Sequence, residues 1–213
     1  MNLCALSEAV AKGDRHEAER LTRNLLDSQM PAQQIVEDGL TSGMHIVGER
    51  FARGEAFVPE LLIASRAMKQ SMIILEPLLA KAGVQPRFTA LIGTVAGDLH
   101  DIGKNLVGMM WRGANVQVID LGVNVPPERF VAAAREHRPA VVGLSALLTT
   151  TLGAMKDSVA ALKQSGLGDM KVVIGGAPVT RNFAVEIDAD GFAPDAASAV
   201  NLVLELVGTS SER

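Results

Sequence analysis

One stretch of the sequence gathers more chemistry than any other: Gly97-Asp98-Leu99-His100-Asp101-Ile102-Gly103-Lys104-Asn105. It sets one imidazole between two carboxylates. Histidine is the commonest metal ligand. A ligating ring ordinarily donates its other N–H to a carboxylate, which fixes the tautomer and raises the ring's basicity; Asp98 and Asp101 are both candidates for that part. His16, His45 and His137 all fall on expected helices, so the three or four protein ligands of a zinc site are not at hand. One histidine suits a metal whose other ligands arrive with a cofactor. The stretch also approaches a phosphate-binding loop but departs from it. Five residues rather than four separate Gly97 from Gly103, and Asn105 stands where Ser or Thr should hold magnesium. Two aspartates inside such a cradle would repel a phosphate. A phospho-acceptor domain would want an aspartate at the end of the third strand, where Ser145 stands.

These residues need elements to hold them, and the hydrophobic period changes partway along the chain. Residues 2 to about 82 read as helices only. Asp14 is an N-cap candidate, with Ala18, Leu21 and Leu25 at helical spacing. Pro31 suits a first helical position, followed by the stripe Ile35, Gly39, Leu40, Gly43, Met44, Val47 and Phe51, and Gly54 ends that helix. Pro59 opens the next, with Leu61, Ser65, Met68, Met72, Leu75 and Leu79 on one face. Four helices with short connections imply an antiparallel bundle. Gly83 to Pro86 is a breaker-rich linker. Beyond it, short β-branched or apolar runs at 89–94, 115–120, 140–145, 171–175 and 191–193 alternate with helical stretches at 102–112, 127–137, 150–164, 180–187 and 196–207. That alternation means βαβ units and a parallel sheet covered on both faces. Ligands of such sheets bind beyond the carboxyl ends of the strands, at a topological switch point. The loops after the first, third and fourth strands are therefore the ones to inspect.

The third strand ends in Ser145-Ala146-Leu147, followed by Leu148 and the threonines Thr149, Thr150 and Thr151; the fourth ends in Gly175-Gly176. Paired glycines let a ligand approach the backbone, and equally serve a plain strand-to-helix turn. Between Gly103 and Ser145 lie 41 residues, and between Leu147 and Gly175 lie 27. Composition frames these motifs. In 213 residues, 20 Lys and Arg face 24 Asp and Glu, for a formal net charge of −4. That balance argues against nucleic acid as a partner. Cys4 alone makes no intrachain disulfide. No apolar run reaches the ~18 residues of a membrane helix, and the first residues do not form a secretory signal. A cytoplasmic protein is expected.

The set Asp98-Leu99-His100-Asp101-Ile102-Gly103, then Ser145-Ala146-Leu147, then Gly175-Gly176, at these gaps, resembles the cobalamin-binding signature of corrinoid-dependent methyltransferases. The helical half resembles that family's cap, through Met44-His45-Ile46-Val47-Gly48-Glu49-Arg50-Phe51 and Phe57-Val58-Pro59-Glu60. The resemblance implies a helical cap domain over 1–85 and, over 86–213, a flavodoxin-like, Rossmann-like five-stranded parallel sheet of order 2-1-3-4-5. It implies cobalamin or a related corrinoid bound with its own base displaced and His100 as the axial ligand of cobalt. Asp98 matches the carboxylate bonded to that histidine. Thr151 takes the third place in the relay, where methionine synthase has a serine. Asp101, Gly103, Ser145, Leu147, Thr149, Gly175 and Gly176 match cofactor-lining positions. In the cap, Phe51 and Val58 match the residues over the cobalt face, with Met44 and Val47 beside them; Val58 is a leucine in methionine synthase.

The function so implied is a methyl carrier. It takes a methyl group onto cobalt from a substrate-specific methyltransferase and passes it to a second methyltransferase, whose acceptor is tetrahydrofolate or a thiol. A reductive activation protein would be a third partner. Cap and cofactor domain account for the whole chain, so a subunit of a multi-component methyltransferase is expected rather than an enzyme complete in itself. The alternatives are a cobalamin-based sensor and the cobalamin subunit of a mutase. The remaining residues read as structural: Met68 and Met72 as core, His45 and Glu49 as an exposed i,i+4 pair, and Trp111 as buried.

Overall fold

The structure, a computed structural model, describes residues 3–82 and 85–208. The linker expected at Gly83–Pro86 thus begins with two residues, Gly83 and Val84, that lie outside the described residues. The chain forms two compact units, one of residues 1–87 with 109–115 and one of 88–108 with 116–213.

The helical unit opens with α1 (Leu3–Lys12) and α2 (Arg15–Asp27). Gly13, at φ +74°, ends α1, and the Asp14 carboxylate caps α2 by accepting the Glu17 N–H at 3.0 Å. The third helix is one continuous run in three parts: α3 (Ala32–Gln34), a π-helical segment (Ile35–Thr41) and α4 (Ser42–Ala52). Pro31 is its N-cap rather than its first helical residue. The π segment is absent from the sequence expectation, yet burial explains it. The buried pairs are 35/36, 39/40, 43/44 and 47/48, an unbroken four-residue repeat. At 3.6 residues per turn each four-residue step overshoots by about 40°, or about 120° over three steps. One π-turn takes up one extra residue, about 100°, and keeps the pairs on one face. The carbonyls of this segment meet α1, where Ser7 Oγ lies 3.2 Å from Asp38 O and 3.0 Å from Gly39 O. A Cβ on Gly43 would stand 2.7 Å from Ser7 O, so this helix pair needs a glycine there. After Gly54 (φ +73°), α5 (Val58–Lys81) starts with Pro59 in its first turn, and Glu60 accepts the Phe57 N–H at 3.1 Å.

The α/β unit carries β1 (Thr89–Thr94), α6 (Ile102–Gly113), β2 (Gln117–Asp120), α7 (Pro127–His137), β3 (Val141–Ser145), a 3-10 turn (Thr149–Thr151), α8 (Leu152–Gln164), β4 (Lys171–Gly175), α9 (Arg181–Glu186), β5 (Gly191–Ala193) and α10 (Ala196–Gly208). Residues 109–115, the end of α6 and the two residues after it, belong to the helical unit. All strand pairs are parallel and the order is β2-β1-β3-β4-β5. The second strand begins at Gln117, not Asn115, because Asn115 sits at φ +61° and terminates α6 through its N–H to Arg112 O. Helix α8 begins at Leu152, after the 3-10 turn, rather than at Thr150. β1 is buried along all but its first residue, as a central parallel strand must be. Leu91, Val142, Leu144, Val172 and Ile174 pack with Phe130 of α7 and with Met155, Val159 and Leu162 of α8. Register aligns Thr94 with Ser145, and Ser145 with Gly175. The order places β1 beside β3, and their diverging connections make the switch point.

Candidate functional site: an imidazole at the switch point

The loop after β1 leaves the sheet in a turn from Val95 to Asp98, closed by the Asp98 N–H to Val95 O at 3.2 Å. Gly97 occupies its third position at φ +81°, which favours glycine. The turn sends the Asp98 side chain inward, to 0% exposure, beneath the loop after β3. Its Oδ1 accepts the His100 N–H at 3.0 Å and lies 2.7 Å from His100 Nδ1. Its Oδ2 accepts the N–H groups of Leu147 at 2.7 Å and Leu148 at 3.2 Å. Thr151 Oγ1 is 3.1 Å from the same oxygen and 2.9 Å from Leu148 O. Burial pushes the Asp98 carboxyl up. The N–H groups of His100 and Leu147, the imidazole and the Leu148 N–H oppose it and hold the group well below the usual carboxylate range.

An ionised Asp98 accepts and cannot donate, so Nδ1 of His100 carries a proton, and in the neutral ring Nε2 keeps its lone pair. The His100 side chain is 51% exposed. The loop thus offers solvent one oriented imidazole nitrogen, backed by a buried carboxylate. Among the described residues no group of three or more His, Cys, Asp or Glu side chains could hold a metal ion. This donor set fits a metal that brings its other ligands with it.

The surroundings fit a large, partly apolar cofactor. Leu99 and Ile102 are 70% and 71% exposed, and Leu147 and Leu148 are exposed as well. Gly103 stands in the first turn of α6, exposed, with nothing within 4 Å of where its Cβ would be. The protein itself does not require a glycine there; an outside group lying on the helix would. Gly176 is the opposite case. It has φ +129°, and its Cβ would fall 1.8 Å from Ala146 O, so the loops after β3 and β4 touch backbone to backbone. Ser145 and Gly175 are half-buried, and Thr149 and Asp101 are exposed. In the helical unit, Met44 and Val47 are buried at 2% and 0%, while Phe51 and Val58 are half-buried at the two ends of the α4–α5 connection.

Two residues of this site escape a reading of the sequence. Thr94 is fully buried, and its hydroxyl donates to the His100 carbonyl at 2.9 Å. Asn124, in the loop after β2, accepts the Gly97 N–H on Oδ1 at 2.8 Å and donates its own N–H to Asp98 O at 3.0 Å. The lysine of the near phosphate loop is committed elsewhere. Lys104 is buried at 3% exposure, with its ammonium 2.7 Å from Asp120 Oδ1 and 2.8 Å from Asn105 Oδ1.

Fold and site together define a flavodoxin-like protein with one oriented imidazole at the switch point of its sheet, a donor that fits a metal-bearing cofactor. The comparisons agree. The B12 binding domain family matches residues 88–201, and a second family of the same description matches residues 4–76. A corrinoid protein of Desulfitobacterium hafniense is 39% identical over 95% of this chain and 96% of its own length. Trimethylamine corrinoid protein 2 of Methanosarcina acetivorans is 37% identical over 92% of each. Among solved structures, a cobalamin-binding protein of Desulfitobacterium hafniense superposes with a TM-score of 0.82 at 35% identity, covering 96% of this chain and 98% of that one. A chain of the methanol:cobalamin methyltransferase complex of Methanosarcina barkeri gives 0.83 at 25% identity, over 97% of this chain and 79% of that one. The chain belongs to the corrinoid proteins built from B12-binding domains, and its cofactor is a cobalt corrinoid.

Proposed function

We propose that this protein is the methyl-carrying subunit of a multi-component methyltransferase. It accepts a methyl group from a substrate-specific methyltransferase and delivers it to a second one, whose acceptor is tetrahydrofolate or a thiol. A reductive activation protein restores the cofactor when it is oxidised. The reading is supported by relatives named for methylamine and methanol systems. The observation that carries it is the single imidazole whose Nδ1 is tied to buried Asp98 while the ring faces solvent. When bound, the corrinoid supplies a cobalt centre able to receive and release a methyl group.

Each residue then has a task. His100 would hold the cobalt through Nε2, and Asp98 would fix the tautomer and the ring plane. Thr151 completes the relay with its hydroxyl. Gly103 and Asp101 border the cofactor from the α6 side; Ser145, Leu147, Thr149, Gly175 and Gly176 border it from the loops after β3 and β4. With residues 1–85 as the cap domain and 86–213 as the cofactor domain, Phe51 and Val58 would cover the methyl face, and Met44 and Val47, buried beside them, would support that contact.

The test has two arms. Protein reconstituted with cobalamin is expected to bind about one corrinoid per chain, with a visible spectrum that changes in His100→Ala; an unchanged spectrum would remove the axial ligand. The loaded protein is then methylated by the methylamine- or methanol-specific partner of a relative and mixed with an acceptor methyltransferase. Failure to pass on an installed methyl group would overturn the carrier role.

A further inference from the structure

We propose that Asn124 and Thr94 are positioning residues that set where His100 stands, independently of the Asp98–Thr151 relay; the proposal rests on His100 being the axial ligand. The relay fixes the ring. It bonds the Asp98 carboxylate to the imidazole and to the loop after β3. The backbone that carries the ring is fixed from the other side of β1. The loop after β2 runs alongside, with the Thr94 N–H donating to Gly122 O at 3.0 Å and the Val125 N–H donating to Thr94 O at 2.9 Å. An isolated parallel bridge pairs Val95 with Val125.

That alignment delivers Asn124 to the histidine loop. Its backbone N–H takes the carbonyl of Asp98, and its side-chain oxygen takes the N–H of Gly97. It bonds the turn on both sides of the Gly97–Asp98 peptide link. To do so Asn124 adopts φ +52°, a left-handed conformation that asparagine tolerates better than most residues. Thr94 acts at the far end of the loop. Its hydroxyl is sealed from solvent and donates to the carbonyl of His100 itself. Without that hydroxyl the His100 carbonyl loses a buried partner. Without the Asn124 oxygen the Gly97 N–H, at the tip of the turn, is released to solvent. In either case the Cα of His100 gains freedom while the relay keeps all of its atoms. The distance from Nε2 to a bound cobalt then depends on a looser backbone.

Two substitutions isolate these bonds. Asn124→Gly permits the left-handed backbone and removes the side chain that carries the acceptor; Thr94→Val keeps the volume and replaces the hydroxyl with a methyl group. Asn124→Asp and Thr94→Ser restore each bond. The readouts are the dissociation constant for cobalamin and the nitrogen hyperfine coupling in the electron paramagnetic resonance spectrum of its cobalt(II) form. Thermal unfolding of the cofactor-free protein serves as a check on folding. Asn124→Gly is expected to weaken binding by roughly 10-fold, the lower end of the usual range for groups that orient a ligating histidine. The fraction with axial nitrogen coupling should fall with it, and Asn124→Asp should recover both. Thr94→Val should behave alike, with rescue by Thr94→Ser. Should Thr94→Val not fold, Asn124→Gly decides the question by itself, because it alters an exposed loop at a φ glycine accepts. Full nitrogen coupling and unchanged affinity in Asn124→Gly overturn the proposal. His100→Ala in the same series separates the two readings: if the wild type lacks the histidine coupling that this variant should abolish, the axial assignment itself has failed.

Discussion

Asp98 collects four N–H contacts, from the backbone of His100, Leu147 and Leu148 and from the imidazole, with the Thr151 hydroxyl beside them. An ionised carboxylate has about four lone-pair sites and uses them as acceptors only, so every contact here favours the charged form. Asp98→Asn would turn one side of the group into a donor. If the amide N–H₂ faces the ring, it pushes the imidazole proton from Nδ1 to Nε2 and blocks the ligating nitrogen. If it faces Leu147 and Leu148, two backbone donors meet a third. Asp98→Asn is therefore expected to weaken corrinoid binding by roughly 10–100-fold, and nitrogen-15 shifts of His100 in the cofactor-free protein should report loss of the Nδ1–H tautomer when the amide N–H₂ faces the ring. A native shift pattern and affinity would reduce Asp98 to a structural carboxylate. The same contacts fix the sign of a pH effect. The folded carboxyl lies below its unfolded value of ~3.9, so its contribution is complete above about pH 5 and is lost as pH falls through the unfolded value toward the folded one. Acid unfolding of the cofactor-free wild type should be steeper below about pH 5 than that of Asp98→Asn, whose side chain does not titrate.

At the level of elements, the two glycines beside the site make opposite demands. Gly176 meets Ala146 O at a distance no Cβ tolerates, at a φ that side chains rarely adopt. Gly176→Ala should destabilise the cofactor-free protein by at least about 1–3 kcal/mol, the usual scale of backbone strain. Gly103 faces open space in the first turn of α6. Gly103→Ala should leave that stability unchanged or raise it by up to roughly 1 kcal/mol while lowering corrinoid affinity. Denaturant unfolding and a binding titration on both variants would decide it, and a Gly103→Ala protein that binds normally would take Gly103 out of the site. The contrast also shows what a sequence exposes. His100, its aspartates and the paired glycines stand out because they fall together in strand-end loops and their gaps match a known pattern. The strand runs 89–94, 171–175 and 191–193 are legible because β-branched and apolar residues end at punctuating glycine, aspartate or proline. Thr94 passes as one more β-branched strand residue and Asn124 as a turn residue, because their roles rest on partners that only the sheet order supplies. The π segment is hidden in a stripe that reads as an ordinary helix. Its four-residue step already runs through Ile35, Gly39, Leu40, Gly43, Met44 and Val47, and burial shows that Val36 and Gly48 share that face.

At the scale of the whole chain, each unit has its own buried core. Leu6, Val10, Leu25, Ile35, Leu40, Leu61 and Leu75 belong to the helical unit; Leu91, Phe130, Val142, Met155 and Leu162 belong to the α/β unit. Chains built this way need not unfold in one step, so the cofactor can stabilise one core without the other. Anything that binds only the folded state adds RT ln(1 + [L]/Kd), about 2.7 kcal/mol at a hundredfold excess over Kd. Amides that exchange only through full unfolding of a unit then slow by about 100-fold. The α/β unit, which carries His100, should show that protection in β1, β3 and β4. The helical unit is the informative one, because Phe51, Val58, Met44 and Val47 enter the proposed site by resemblance. If they cover the cofactor, amides of α1 and α5 should slow as well when cobalamin is added, and Phe51→Ala should erase part of that slowing while leaving β3 protected. Protection confined to the strands would restrict cofactor binding to the α/β unit and strike the four cap residues from the site. Amide exchange followed by mass spectrometry resolves the two units in one experiment, with His100→Ala as the control that weakens both effects together.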